Sequence, residues 1–168
     1  MKRSEIMQYV PLDSTKTHCI NTNLNFSFVV DTADMPLVAG HTWGNLEGYV
    51  SNGKLGRLHR YLTNAPADKV VDHHNHNKLD NTRGNLRVCT TMENARNRHR
   101  NRSNKSGYKG VSWHQKTKKW QVFITVDGRD KFLGCYEDKE TAAHAYDEEA
   151  IREFGAFAHV NFPQAVPA

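Results

Sequence analysis

The stretch at 70–97, VVDHHNHNKLDNTRGNLRVCTTMENARN, gathers the side chains of this chain best suited to do chemistry. It crowds two aspartates, three histidines and six asparagines together and then turns basic. Two-carboxylate acid–base chemistry does not fit, because only one acid, Asp72, is well placed. A nucleophilic triad fails as well, since no Ser or Cys sits on a recognisable strand-to-helix elbow. A site made of His73, His74 and His76 is disfavoured, because adjacent strand residues point to opposite faces. Asp72 and Asn94 instead supply two oxygen ligands, suited to a hard divalent cation that keeps most of its waters. His73 projects away from Asp72 and is left to act on a water, and a neutral imidazole suits a general base.

These residues must be held by local structure. The segment 69–74, KVVDHH, begins as a β-branched strand, and the next dozen polar residues form a loop. A second strand follows at NLRVCT. Thr90 and Glu93 have capping-box spacing, so a helix starts near Thr91. Residues 6–62 read as short strands and turns, among them FSFVV and a hairpin about Asn52-Gly53, with no long helical period. Residues 96–106 are a basic, Ser/Asn-rich linker, which places a domain boundary near Ser106-Gly107. Beyond it come three strands, YKGVSWHQ, WQVFITV and KFLGCY, and one helix with Asp138 as N-cap and Gly155 as stop. Ala143, Tyr146, Ala150 and Phe154 share a face of that helix and would lie against the sheet.

The 168 residues suffice for one ordinary domain or two small ones. Mean hydropathy is −0.75 and the pI about 9.2, so the surface is very polar and favours an anionic partner. The charge is segregated: a net of +1 over 1–95, +9 over 96–136 and −5 over 137–168. A basic block followed by an acidic segment reads as a binding face with a solvated back. Cys19, Cys89 and Cys135 are far apart and form no CxxC pair, which argues against a structural zinc and for reduced thiols. Neither a signal peptide nor a membrane span is expected.

The residues LHR at 58–60, VDHHNHNKLDN at 71–81, NLR at 85–87 and EN at 93–94 resemble the HNH nucleases of the His-Me finger (ββα-metal) group, most of all the homing endonucleases of mobile introns. The resemblance implies a single Mg²⁺ (or Mn²⁺) on Asp72 and Asn94, His73 as general base, and Asn85 tying down the loop and orienting that histidine. Arg60 would act in support, at phosphate or in the fold. The segment 107–163 resembles a plant Apetala/ethylene-response-factor DNA-binding domain, carried by its Gly-Val, Trp, Leu-Gly, Ala-Ala, Ala-Tyr-Asp and Asn-Phe-Pro elements. That likeness implies a three-stranded sheet entering the major groove, with Lys109, Ser112, His114, Lys116, Lys119, Trp120, Arg129 and Lys131 as contact candidates. Sheet packing is an equally good use for Trp113 and Trp120. Lys105 and the linker arginines Arg96, Arg98, Arg100 and Arg102 would track the backbone if extended and scatter if helical.

The expected fold is therefore α+β: a ββα-metal nuclease core with a β-rich N-terminal extension over 1–95, a linker over 96–106, and a three-stranded antiparallel sheet packed on one helix over 107–163, with a tail over 164–168. The expected activity is site-directed, homing-type cleavage of double-stranded DNA, nicking as a monomer, in the cytoplasm of a bacterial or phage-infected cell and without an obligate protein partner. The alternative is a non-catalytic DNA-binding regulator carrying a vestigial nuclease module.

Overall fold

A computed structural model describes residues 7–97 and 104–163. Arg98, Arg100 and Arg102, with the tail at 164–168, lie outside the described residues. The chain is mixed α/β with several small antiparallel sheets, and it divides into two compact units between Thr91 and Met92. Among the described residues no helix is long and apolar enough to cross a membrane.

The first unit opens with a meander of β1 (Met7–Pro11), β2 (Lys16–Asn21) and β3 (Phe26–Asp31). Strict alternation along β3 buries Phe26, Phe28 and Val30, as a half-buried strand requires. A 3₁₀ turn at Thr32–Asp34 leads into α1 (Met35–Val38), then into a second meander of β4 (Gly44–Leu46), β5 (Tyr49–Asn52) and β6 (Gly56–Arg57). Trp43 is fully buried and donates its indole N–H to the Val38 carbonyl at 3.1 Å. The buried Asn21 side chain holds the Trp43 carbonyl at 2.7 Å.

The expected hairpin about Asn52-Gly53 is present, but the segment after it is helical rather than extended. Leu58–Thr63 form α2, which buries Leu58, His59 and Leu62 and ends at Asn64 in the left-handed conformation (φ 47°). Leu58 and Leu62 at i,i+4 are the whole apolar face, too short a run for periodicity to reveal. The hairpin of β7 (Val70–His73) and β8 (Leu86–Cys89) then pairs Asp72 with Arg87 and His73 with Leu86.

The order β7, β8, α3 (Thr91–Arg96) follows the expected strand–loop–strand–helix reading. In the second unit β9 (Val111–His114), β10 (Lys119–Val126) and β11 (Arg129–Tyr136) form an antiparallel sheet in the order β11-β10-β9, and α4 (Lys139–Phe154) covers one face. Asp138 caps α4 by accepting from the Thr141 N–H at 2.7 Å, and Gly155 ends it. Ala142, Ala143, Tyr146, Ala150 and Phe154 pack on Val111, Val122 and Ile124. Small alanines let the helix lie close: at Gly110 (φ 77°) a Cβ would fall 2.0 Å from the Tyr146 ring, so only glycine fits. Buried Asp147 accepts backbone N–H groups of Asn161 and Phe162 at 2.7 and 2.8 Å, anchoring the Asn-Phe-Pro segment.

Candidate functional site

Alternation along β7 sends Val71 into the core and leaves Asp72 and His73 on opposite faces at the strand's end. His73 is 5% exposed. Its Nε2 lies 3.5 Å from Asn81 Oδ1, the outer limit of a hydrogen bond. Asn81 Nδ2 donates to the Lys78 carbonyl at 3.3 Å, which fixes the amide with its oxygen toward the imidazole. An Nε2–H tautomer would donate to Asn81 Oδ1 and leave Nδ1 as the basic nitrogen.

Two further rings pack about the imidazole. The His59 ring meets it nearly edge-on, with centroids 5.1 Å apart and planes at 80°. Tyr49 lies 6.1 Å from His73 and 5.2 Å from His59. Lys78 Nζ sits 4.0 Å above the Tyr49 ring and Arg57 Cζ 4.5 Å from it. Burial pushes His73 below the ordinary histidine range, as does the Lys78 charge, while Asn81, Asp72 and Asp80 pull it upward. His59 is pushed down to about 3 by burial, with the charges of His73, Arg57 and Arg60 adding to it. Both imidazoles are neutral at pH 7.

The loop between β7 and β8 is tied at both ends. Asn85 accepts the Asn75 N–H on Oδ1 at 2.9 Å and donates Nδ2–H to the Asp80 carbonyl at 2.7 Å. Its carbonyl accepts the His74 N–H at 2.9 Å. The side chain within hydrogen-bond distance of the His73 ring is Asn81, which the sequence does not single out. Its only signal is its place in a run of asparagines, which does not distinguish one from another. β3 clamps the same loop: Val29 N–H donates to Leu79 and Asn81 N–H to Val29, at 2.9 and 2.8 Å. Arg83 forks onto both oxygens of the buried Asp34 at 2.8–3.1 Å.

Arg60 is committed to the fold. Its guanidinium donates to the carbonyls of Lys69, Ala65 and Pro66 at 2.7, 3.0 and 2.8 Å, closing the turn after α2. His74 is exposed, and His76 is a left-handed turn residue (φ 61°). Asp72 is 6% exposed and its carboxylate is ion-paired with Arg87 across the β7–β8 register. As a carboxylate oxygen it fits, in kind, a ligand for a hard cation, which would share or displace the Arg87 guanidinium. Asn94, half-buried on α3 in the second unit, offers an amide oxygen. Among the described residues no three His, Cys, Asp or Glu side chains gather as a metal cluster.

In the second unit the basic candidates separate by face. Lys131 is in register with Ile124, on the helix side, and its ammonium pairs with Glu149 at 2.6 Å and Glu153 at 3.3 Å. It is therefore not on the outward face that the resemblance to the plant domain implies. Trp120 packs on the core and Trp113 stands against it edge-on at 5.0 Å. Lys109 donates to the Arg96 carbonyl at 2.8 Å and is pushed down to about 8 by burial, against an upward pull from Asp147. Arg96 pairs with Asp127 at 3.3 Å and lies over the Phe154 ring. Ser112 and His114 are engaged within the sheet and its turn, with Gln121 at 3.3 Å and Thr117 at 2.7 Å. Lys105, Lys116 and Arg129 are exposed, and among the described residues Lys119 makes a long surface pair, 3.5 Å, with Glu137.

Comparison with known proteins gives a match of residues 63–96 to the HNH endonuclease family model, which covers the β7–β8 hairpin and α3. The chain is 32% identical over 135 residues to an uncharacterized HNH endonuclease of Acanthamoeba polyphaga mimivirus, covering 75% of this chain and 70% of that protein. It is 35% identical over 81 residues to Protein 3.8 of Escherichia phage T7, covering 48% of this chain and 67% of that one. A 61-residue match at 38% identity to APETALA2-like protein 2 of rice (Oryza sativa subsp. indica) covers 36% of this chain but 14% of the plant protein. A buried imidazole beside a strand-end aspartate, an asparagine-tied loop around it and a relative matched over most of both lengths agree: this chain belongs to the HNH endonuclease family.

Proposed function

We propose that this protein is a site-directed, homing-type DNA endonuclease that hydrolyses phosphodiester bonds at the β7–β8 hairpin and uses its second unit, of the Apetala/ethylene-response-factor type, to hold duplex DNA. The observation that carries the reading is His73: buried, neutral and oriented by Asn81, next to a carboxylate on the opposite face of the strand.

In this mechanism His73 takes a proton from an attacking water at Nδ1, while its Nε2–H stays on Asn81 Oδ1. Asn85 keeps the loop from drifting, and β3 braces it from the other side through Val29. Asp72, together with Asn94 named by the family motif, is the proposed ligand pair for a divalent cation within a ββα-metal core. When bound, Mg²⁺ or Mn²⁺ supplies Lewis-acid stabilisation of the charge developing at the scissile phosphate. One such centre acts on one strand per engagement, so a monomer nicks.

The test is supercoiled plasmid incubated with the protein in Mg²⁺ or in chelator, with His73→Ala beside it. Mg²⁺-dependent relaxation to nicked circles, slowed roughly 10²–10⁴-fold by His73→Ala with DNA binding retained, is the expected result. Cutting by His73→Ala at the wild-type rate overturns the base assignment. Binding by the wild-type chain without any cutting converts the reading to that of a DNA-binding regulator. Asp72→Ala and Asn94→Ala, assayed across Mg²⁺ concentrations, test the ligand pair separately.

A further inference from the structure

The outward face of the β9–β10–β11 sheet, opposite α4, has an unusual composition for a surface that meets a polyanion. Strand register assigns it. Val111, Val122 and Ile124 face the helix, so the alternate residues Ser112, Gln121, Phe123 and Thr125 face out, and with them their cross-strand partners Cys135, Phe132 and Asp130. The two-residue turn at Asp127-Gly128, both at positive φ (50° and 78°), sets this register. A bulge between Val122 and Phe123 turns Cys135 outward beyond it.

At the centre of this face stand Phe123 and Phe132, directly paired, with ring centroids 5.1 Å apart. They are 38% and 55% exposed. Their polar neighbours are already engaged with one another. Thr125 donates to Asp130 at 2.7 Å and Gln121 to Ser112 at 3.3 Å. The cation nearest along β11, Lys131, is turned to the helix and held by two glutamates. The centre of the face therefore presents two aromatic rings and no cation among the described residues, with the Asp130 carboxylate, hydrogen-bonded to Thr125, beside them. The cations lie at its edge: Lys116 and Lys118, exposed in the β9–β10 turn, and Lys119, which the same alternation turns outward at the start of β10.

That division matches a duplex, which offers phosphates along the rims of the major groove and base edges at its floor. The apolar feature of the major-groove floor is the C5-methyl group of thymine. Guanine is most often read by a bidentate Arg or Lys, and this face has neither at its centre. The geometry points to Phe123 and Phe132 as a thymine reader: the pair packs on C5-methyl groups in the major groove and selects T-containing steps at the centre of the target. This rests on the reading of the second unit as the DNA-holding half.

The test uses the full chain carrying His73→Ala, so that binding is measured without cleavage. Duplexes are selected from a randomised library, and the dissociation constant is measured for the selected sequence and for the same sequence with thymine replaced by uracil. That exchange removes only the C5 methyl and keeps every hydrogen-bonding group. The uracil duplex is expected to bind about fourfold more weakly for each methyl in contact with the rings, from the transfer free energy of one buried methyl group. Phe123→Ala/Phe132→Ala is expected to bind the two duplexes alike. Phe132→Gln, at the more exposed position, is a milder variant with a reduced penalty should the double variant unfold.

Selected sequences without a shared thymine, an unchanged constant on uracil exchange, or the same penalty in the variants would each overturn the inference while leaving DNA binding intact. Loss of all salt-dependent duplex binding by the full chain would instead overturn the DNA-holding reading, and this inference with it.

Discussion

Asn81 joins two parts of the first unit through one residue: its carboxamide oxygen faces Nε2 of His73 at 3.5 Å, while its backbone N–H donates to Val29 on β3 at 2.8 Å. A sheet far back along the chain from the proposed chemistry thus fixes the partner of the proposed base. Asn81 is fully buried and its Nδ2–H donates to the Lys78 carbonyl at 3.3 Å. Asn81→Ala is expected to slow single-turnover cleavage roughly tenfold, the worth of one oriented hydrogen bond, with Kd for DNA unchanged. Equal rates in the variant and wild type would show that the imidazole is held by packing on His59 and Tyr49 alone.

His59 supplies a prediction about stability. Its Nδ1 is buried with no hydrogen-bond partner among the described residues. Replacing it with Phe keeps an aromatic ring and removes an unsatisfied polar atom, at the expense of a somewhat larger side chain, so His59→Phe should fold close to wild-type stability, whereas His59→Ala should lose roughly 2–4 kcal/mol to a cavity. The pH dependence has a definite sign. Folding pushes His59 from the ordinary value near 6.5 to about 3, so between those values the unfolded chain takes up a proton that the folded chain refuses. Stability is full above pH 6.5 and falls as pH drops toward 3, at no more than about 1.4 kcal/mol per pH unit for this group. Urea unfolding from about pH 7 to about pH 4 should show a shallower decline in His59→Phe. An identical slope would mean that other groups carry the acid sensitivity.

The legibility of the sequence follows the range of the interactions. β7, β8 and the start of α3 are readable from β-branched runs and the Thr90–Glu93 spacing, and so is α4 from Asp138, Gly155 and its alanine face. These are signals carried within a few residues. α2 is not, because six residues with two leucines show no period. The approach of His59 to His73 spans 14 positions and the Val29–Asn81 bond spans 52, and neither leaves a local trace. The resemblance to the plant DNA-binding domain groups Lys131 with the outward positions, but the tight Asp127-Gly128 turn sets it opposite Ile124 and under the α4 glutamates. A matched motif does not by itself encode that choice of face.

Arg60 separates a structural from a substrate-binding cation. Its three carbonyl partners follow α2, where a cation also meets the negative end of the helix dipole. Arg60→Met should cost roughly 1–3 kcal/mol of stability through lost charge-assisted hydrogen bonds. The salt dependence of DNA binding by the folded protein should not change. A variant of unchanged stability whose log Kd–log salt slope drops by about one would place Arg60 on a phosphate instead.

The lysines of the second unit are expected to divide in the same assay. Lys131 is held by Glu149 and Glu153, with Arg152 closing the cluster on Glu149 at 2.5 Å. A cation already neutralised by two carboxylates releases no counterion on meeting DNA, so Lys131→Gln should leave the salt slope unchanged. Its stability should change little, as for partly exposed pairs. Lys116→Gln and Lys119→Gln remove cations that are exposed or only loosely paired. Each is expected to weaken binding across sequences and to lower the slope by about 0.9 for every phosphate that the variant leaves unneutralised. Fluorescence anisotropy with one labelled duplex from about 50 to about 200 mM salt distinguishes the two classes. A slope change for Lys131→Gln as large as that for Lys116→Gln would mean that the Glu149–Glu153 pairing opens when DNA binds, and that the helix-facing lysine is recruited to phosphate after all.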